Sequence, residues 1–447
     1  MRHFSNSLPH EKNISRAVFF IHLNFDFGFC SGYCWGMNRL FLHLDVNSYF
    51  ASVEQQANPF LRGRPVAVVA QLKSYGAIIA SSKEAKKLGI KVGLRASDAL
   101  AIDPHCAIVE VDPPKYRSTT ERLFAILAEY SEEIEPYSID EAFVEFTGHV
   151  KTIAEVEQIA RTIQQRMHNE VGEWLTCSIG IAPTRWLAKF AGDTAPKGAI
   201  LVLTPDKIDA HIAHLKLTDA WGIADRMQAR LNALGIFTLM QLKYTSPERL
   251  KRSLGLRGYE LWADLNGLET AGLIEERLPK SVGHQHMLRR RTNDHRFHRS
   301  VLMKLCERTG RRLRSLGLEA YRIGVHASIQ DDHGVGGDRS STYPFRSSYQ
   351  LFQAAWSILK PQVNGRRLTF LSVWTLDLRP VSRQTELFPP PLDEGALSHA
   401  LDKITDRFGE DTVIWGAMWG SREHAPDRVG FRKTVSWDLP SNQIIRG

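Results

Sequence analysis

Cysteine is scarce and scattered: only Cys30, Cys34, Cys106, Cys177 and Cys306 occur in 447 residues. An odd, dispersed set of thiols excludes a disulfide framework, and Cys30 and Cys34 have no second pair to complete a four-ligand zinc site. A reducing, cytoplasmic setting fits that usage. Long apolar runs are also missing. The nearest candidate, residues 18–29, is broken by His22, Asn24 and Asp26 and is followed by no small-residue cleavage site, so neither a bilayer span nor a secretory signal is expected. Acidic residues are outnumbered by basic ones, 49 to 57, and the formal charge of +8 points toward a polyanionic partner without identifying one.

A chain this long exceeds the size at which one core keeps growing, so about three domains of roughly 150 residues are expected. Residues 1–36 read as an extension, disordered or lying before the native start, with Met37 opening the first domain. The run at 40–46 is apolar like a buried strand and ends in Asp45, with turn-tolerant Asn47 and Ser48 next. A short helix is expected over 49–56, a strand over 66–70, and a helix over 81–88 that carries Lys83, Lys86 and Lys87 on one face. Further on, a long amphipathic helix over 116–134 precedes Asp140 and Glu141, which open an alternating strand at 142–146. Helix over 156–171, strand over 177–181 and helix over 186–191 complete an α/β unit.

Near residue 217 the pattern changes to short helices separated by glycine. Gly222, Ala224 and Gly235 mark a helix-hairpin-helix pattern, in which backbone N–H groups can approach a phosphate beside a helix N-terminus; a plain helical turn is the alternative. Arg289, Arg290 and Arg291 form a basic run, followed by Arg311, Arg312 and Arg314 on a helix. Strands over 321–329 and 367–378 flank a helix over 349–359, and residues 379–392 read as a proline-rich connector. His284, His286, His295 and His298 cluster here but lack zinc-ligand spacing.

Phosphoryl transfer from a nucleoside triphosphate needs alignment and charge neutralisation more than covalent help, and two Mg2+ ions held by a few carboxylates supply both. Asp45, Asp140 and Glu141 are candidates, although three acids alone carry little signal. Their contexts carry more. Asp45 to Glu54, DVNSYFASVE, resembles the first metal motif of the Y-family DNA polymerases, the translesion group that includes bacterial polymerases IV and V, and Ser138 to Ala142, SIDEA, resembles the second. The likeness continues through LRGRPVAV at 61–68, EAKKLGI at 84–90, SIGIA at 178–182 and the hairpin at 221–242, and so covers roughly 37–380.

The resemblance implies an α+β multidomain right hand. Palm and fingers would occupy 37–204, with fingers at about 48–105, a helix-hairpin-helix thumb 205–275, a linker 276–282, a little finger 283–380 and a C-terminal tail 381–447. It implies a template-directed, error-prone DNA polymerase with Asp45, Asp140 and Glu141 as catalytic ligands of two magnesium ions, Val46 adding its carbonyl. Phe50 would be the steric gate against ribose, and Tyr49, Phe50, Lys83, Lys86 and Lys197 would bind the deoxynucleoside triphosphate. Many relatives carry Tyr and Arg where this chain has Lys83 and Lys86, which keeps charge but loses the guanidinium fork. The run DTAPKG at 193–198 is also one residue shorter than in relatives, so Lys197 is the candidate substitute for their lysine. Primer-template DNA would lie along Gly222, Ala224, Gly235 and Arg289–Arg291. Gln384, Leu387 and Phe388 resemble a sliding-clamp peptide. A bacterial cytoplasm, at the nucleoid, would be the location. Two rival readings are a clamp-binding adaptor of the same superfamily that has lost catalysis, and a nucleic-acid-binding module without nucleotide chemistry.

Overall fold

The computed structural model describes residues 39–425, apart from 74, 149, 151, 271–272, 274–277, 289–291, 382–394 and 422–423. Along the chain the strands are β1 (Phe41–Val46), β2 (Val66–Val69), β3 (Ile78–Ser81), β4 (Ala107–Glu110), β5 (Ile134–Pro136), β6 (Glu141–Glu145), β7 (Cys177–Ala182), β8 (Ile200–Val202), β9 (Val282–Met287), β10 (Leu318–Ile329), β11 (Val335–Phe345) and β12 (Leu368–Pro380). The helices that matter to the site are α1 (Tyr49–Ala57), α2 (Lys83–Lys87), α3 (Ala96–Ile102), α4 (Pro113–Ala128), α5 (Ile153–Arg166) and α6 (Arg185–Thr194). None of the described helices is long and apolar enough to cross a membrane.

β1 is the middle strand of a five-stranded sheet ordered β5-β6-β1-β7-β8 and is antiparallel to both neighbours. Its alternation assigns the faces. Leu42, Leu44 and Val46 join the core made with Leu123 and Leu127 of α4 and Val156 and Ile163 of α5. Phe41 joins the opposite core, with Leu187 and Phe190 of α6, so His43 and Asp45 share the α6 side. Gly180 of β7 makes this close approach possible: a Cβ there would fall 2.0 Å from the Ala188 carbonyl of α6.

A second, three-stranded sheet, β3-β2-β4, packs Ala67, Val69 and Ile78 against Ala85 of α2 and Ala99 of α3. Helix α2 starts at Lys83 rather than residue 81, because Ser81 ends β3 and Ser82 caps the helix by accepting from the Ala85 N–H at 3.2 Å. The helix expected over 116–134 instead begins at Pro113, capped by Asp112, and stops at Ala128, since Ile134–Pro136 pairs with β6. Five short helices follow: α7 (Ile208–Ile212), α8 (Asp225–Ala233), α9 (Leu239–Tyr244), α10 (Pro247–Leu254) and α11 (Leu256–Leu265). Their Leu231, Leu239, Leu250 and Leu261 extend the core of α6.

The four-stranded antiparallel sheet β11-β10-β12-β9 carries α12 (His295–Ser315) and α13 (Ser348–Leu359) on one face. β9 begins at Val282, the last residue of the expected linker. The segment expected as a tail holds α14 (Gly395–Phe408), and it adds Met418 and Ala425 to this core. Its acids meet the arginines of α12: Arg314 pairs with Asp402 at 2.6 Å and Arg311 with Asp406 at 2.6 Å. Those two arginines, part of the basic stretch in the sequence, are therefore directed at acids of their own chain.

Candidate active site

Asp45 lies one residue from the end of β1, directly opposite Glu141 of β6, and the Val46 N–H donates to the Asp140 carbonyl at 3.0 Å. Sheet register thus brings the two distant motifs side by side. Ser138 Oγ fixes Asp140, donating to Oδ1 at 2.5 Å while accepting from the Asp140 N–H at 3.2 Å. Burial, with Asp140 and Glu141 close by, pushes the Asp45 carboxyl up to about 7. Asp140 is raised as well, first by burial. Two carboxylates pressed together in a partly dry floor resist joint ionisation, and a divalent cation would relieve that repulsion.

Glu141 differs. Burial would raise it too, but His43 and Lys189 outweigh that and hold it below the ordinary glutamate value. Lys189 Nζ lies 3.2 Å from both Glu141 and Asp193. His43 Nε2 is 3.8 Å from Glu141, and burial lowers the pKa of this fully enclosed imidazole. Among the described residues, no three His, Cys, Asp or Glu side chains stand close enough to hold an ion by themselves. The donor chemistry nevertheless fits magnesium, a hard cation that takes carboxylate and carbonyl oxygens and completes its shell with water and phosphate. Lys189 and His43 were not singled out by sequence. The period-2 alternation of β1 and the i, i+4 spacing of Lys189 to Asp193 were the signals available.

Asp45 and Asp140 line a cleft of about 640 Å3, together with Phe50, Lys83, Lys86 and Lys197. Lys197 Nζ is 3.6 Å from Asp45, and Lys86 donates to Ser48 Oγ at 2.8 Å. Burial and the nearby Lys197 lower the Lys86 ammonium below its ordinary value. Phe50, 4% exposed, packs its ring 4.5 Å from Tyr116 of α4. Tyr116 is anchored in turn, its hydroxyl donating to the buried Glu54 at 2.8 Å. Tyr49 lines the cleft as well, and its hydroxyl donates to the Tyr116 carbonyl at 2.7 Å.

Away from this cleft, Gly222 and Gly235 have positive φ, +94° and +77°, while exposed Ala224 is the N-cap of α8. Arg257 covers Gly222, with Nη2 2.0 Å from where a Cβ would stand. The acids and the hairpin therefore belong to separate places on the chain. Arg289, Arg290, Arg291, Gln384, Leu387 and Phe388 lie outside the described residues.

A cleft of the size that binds small molecules, lined by Asp45 and Asp140 and by Lys83, Lys86 and Lys197, sits in a fold of the right-hand polymerase class. Comparison narrows that class. Residues 44–193 match the impB/mucB/samB family and residues 279–409 its C-terminal domain. DNA polymerase IV of Pelotomaculum thermopropionicum is 30% identical over 377 residues, covering 83% of this chain and 93% of that protein. DNA polymerase IV 2 of Bacillus subtilis is 30% identical over 411 residues, covering 86% and 96%. A solved Y-family DNA polymerase chimera shares the fold, with a TM-score of 0.66 and 24% identity over 76% of this chain and 98% of its own. The chain belongs to the impB/mucB/samB family, the Y-family DNA polymerases.

Proposed function

We propose that this chain is a template-directed, error-prone DNA polymerase that copies past lesions in DNA damage tolerance, using Asp45, Asp140 and Glu141 as its catalytic acids. The observation that carries the reading is the pairing of Asp45 with Glu141 across β1 and β6, which brings Asp45 and Asp140 together in the lining of the cleft. Asp45 and Asp140, with the Val46 carbonyl, would hold two magnesium ions, and Glu141 would complete the one nearest the primer terminus. Bound there, magnesium would lower the pKa of the primer 3′ hydroxyl and neutralise charge developing on the triphosphate. Lys189 keeps Glu141 ionised. Lys86 and Lys197, and Lys83 at the rim, supply positive charge to the phosphates. Phe50, fixed by Tyr116, excludes a ribose 2′ hydroxyl.

In this reading, residues 37–204 are palm and fingers, 205–275 the thumb and 283–380 the little finger, with α14 and the residues around Met418 added to the last. Primer-template DNA is held by backbone phosphates at Gly222, Ala224 and Gly235 and by Arg289–Arg291, so affinity falls steeply with salt and depends little on sequence. Residues 384–388 engage a sliding clamp, and the protein works at the bacterial nucleoid.

Primer extension with magnesium tests the proposal. Wild type extends a primed template, whereas Asp140→Asn loses extension by about 10³-fold or more, equivalent to ~4 kcal/mol, and still binds DNA. A wild type that binds DNA and the clamp but never extends would make the chain an adaptor. The intact acids favour the enzyme.

A further inference from the structure

Lys83 and Trp174 meet at the edge of the cleft. Lys83 opens α2, while Trp174 lies in the connection at 172–176 that leads into β7, so the two come from distant parts of the chain. The Lys83 ammonium stands 5.0 Å from the centre of the indole, and both side chains line the cleft that holds Asp45 and Phe50. The Glu84 carboxylate stands 3.9 Å from the same ammonium.

The ring itself is firmly mounted. Its Nε1–H donates to Gln55 Oε1 at 3.0 Å, and the Trp174 backbone N–H donates to Gln56 Oε1 at 2.8 Å. Gln55 is buried in α1, where its amide also donates to the Leu61 carbonyl at 3.1 Å. Arg62, 5.5 Å from the indole, closes the group by pairing with Glu173 at 2.6 Å. The indole is thus fixed to α1, the helix that carries Phe50. Lys83 is the opposite, with a side chain 70% exposed on a flexible four-carbon stem. Such a cation loses much rotamer freedom when it engages a ligand, unless a neighbour has already restricted it.

We propose that Trp174 is a positioning residue for the incoming nucleotide: its indole face holds the Lys83 ammonium at the cleft, beside Lys86 and Lys197, ready for the triphosphate. The assignment rests on the polymerase reading above. Trp174 touches no reacting atom and acts through Lys83 alone. The contact exists before the nucleotide arrives and persists through transfer, so it strengthens ground state and transition state alike and enters KM rather than kcat.

Single-nucleotide incorporation by the full chain, with primer-template and magnesium, tests this. A cation–π contact at an exposed site corresponds to about a two- to fivefold change in binding. Trp174→Ala raises the KM for the nucleotide by about that factor with kcat unchanged, and Trp174→Phe, which keeps a π face, stays nearer wild type. Lys83→Met raises KM as well, and adding Trp174→Ala to Lys83→Met changes nothing further. If Trp174→Ala fails to fold, Trp174→Leu fills the space without a π face and carries the same expectation. An unmoved KM in either variant overturns the assignment, as does a Trp174 effect that persists in full in the Lys83→Met background. A wild type that extends no primer sinks the polymerase reading itself, and that result is seen before any variant is measured.

Discussion

Tyr116 lies against Phe50, ring centroids 4.5 Å apart, and its hydroxyl donates to Glu54, which also accepts from Lys115 at 2.8 Å. A ring proposed to block a 2′ hydroxyl must not yield when pushed. Phe50 is backed by an aromatic that is itself tethered by a charge-assisted hydrogen bond, so the wall is stiff.

Removing the wall should remove the discrimination. Phe50→Ala opens space at the sugar, and its ratio of deoxynucleotide to ribonucleotide kcat/KM is expected to fall by about tenfold or more, ~1.4 kcal/mol per decade. Tyr116→Ala, which leaves Phe50 in place without its support, should lower the ratio by less. Unchanged sugar selection in Phe50→Ala would remove Phe50 from the gate.

Beneath the sheet, Arg185 and Glu135 form a bidentate pair at 2.7 and 2.8 Å, both side chains almost fully buried. The guanidinium also lies 3.9 Å from the centre of the Phe143 ring and 5.3 Å from Trp221, joining the sheet to the helices after residue 217. Breaking such a pair from one side strands a buried charge. Glu135→Ala is expected to destabilise the chain by about 3–5 kcal/mol, whereas replacing both partners with apolar residues of similar volume should cost much less. Denaturant unfolding of the single and double variants checks this. Equal losses in the two would contradict it.

Much of the site was legible because its chemistry sits in local words. Asp45 and Phe50 stand in one stretch that resembles the family's first metal motif, Asp140 and Glu141 in another that resembles its second, and sheet register joins the two. The residues around the candidate site come from elsewhere. Tyr116, Lys189 and Trp174 reach the site from α4, α6 and the connection before β7, and nothing in their own neighbourhoods announces that meeting. β11 escaped for another reason: VGGDRSSTYPF is mostly exposed, so burial imposes no alternation on it. The residues after 394 looked like a tail because the core contact is made by a short cluster, Ile414, Trp415, Ala417 and Met418, with Ala425, and by no long periodic run.

Asp264 of α11 is 2% exposed and accepts from Thr270 Oγ1 at 2.9 Å. Burial pushes its carboxyl up from 3.8 to about 7, against the lowering influence of Thr270 and Arg257. In the unfolded chain the group ionises near its ordinary value, so between those two pH values the folded state holds a proton that the unfolded state has released. Stability from this residue is therefore full below about pH 4, declines as pH rises to about 7, and is flat above; the total is at most about 4 kcal/mol at ~1.4 kcal/mol per unit. Asp264→Asn keeps an acceptor for Thr270 and cannot ionise. Its thermal midpoint should exceed that of wild type at pH 8 and approach it at pH 4.5, because only the wild type pays for ionisation in the buried site. A variant no more stable than wild type at pH 8 would mean that the carboxylate is solvated there after all.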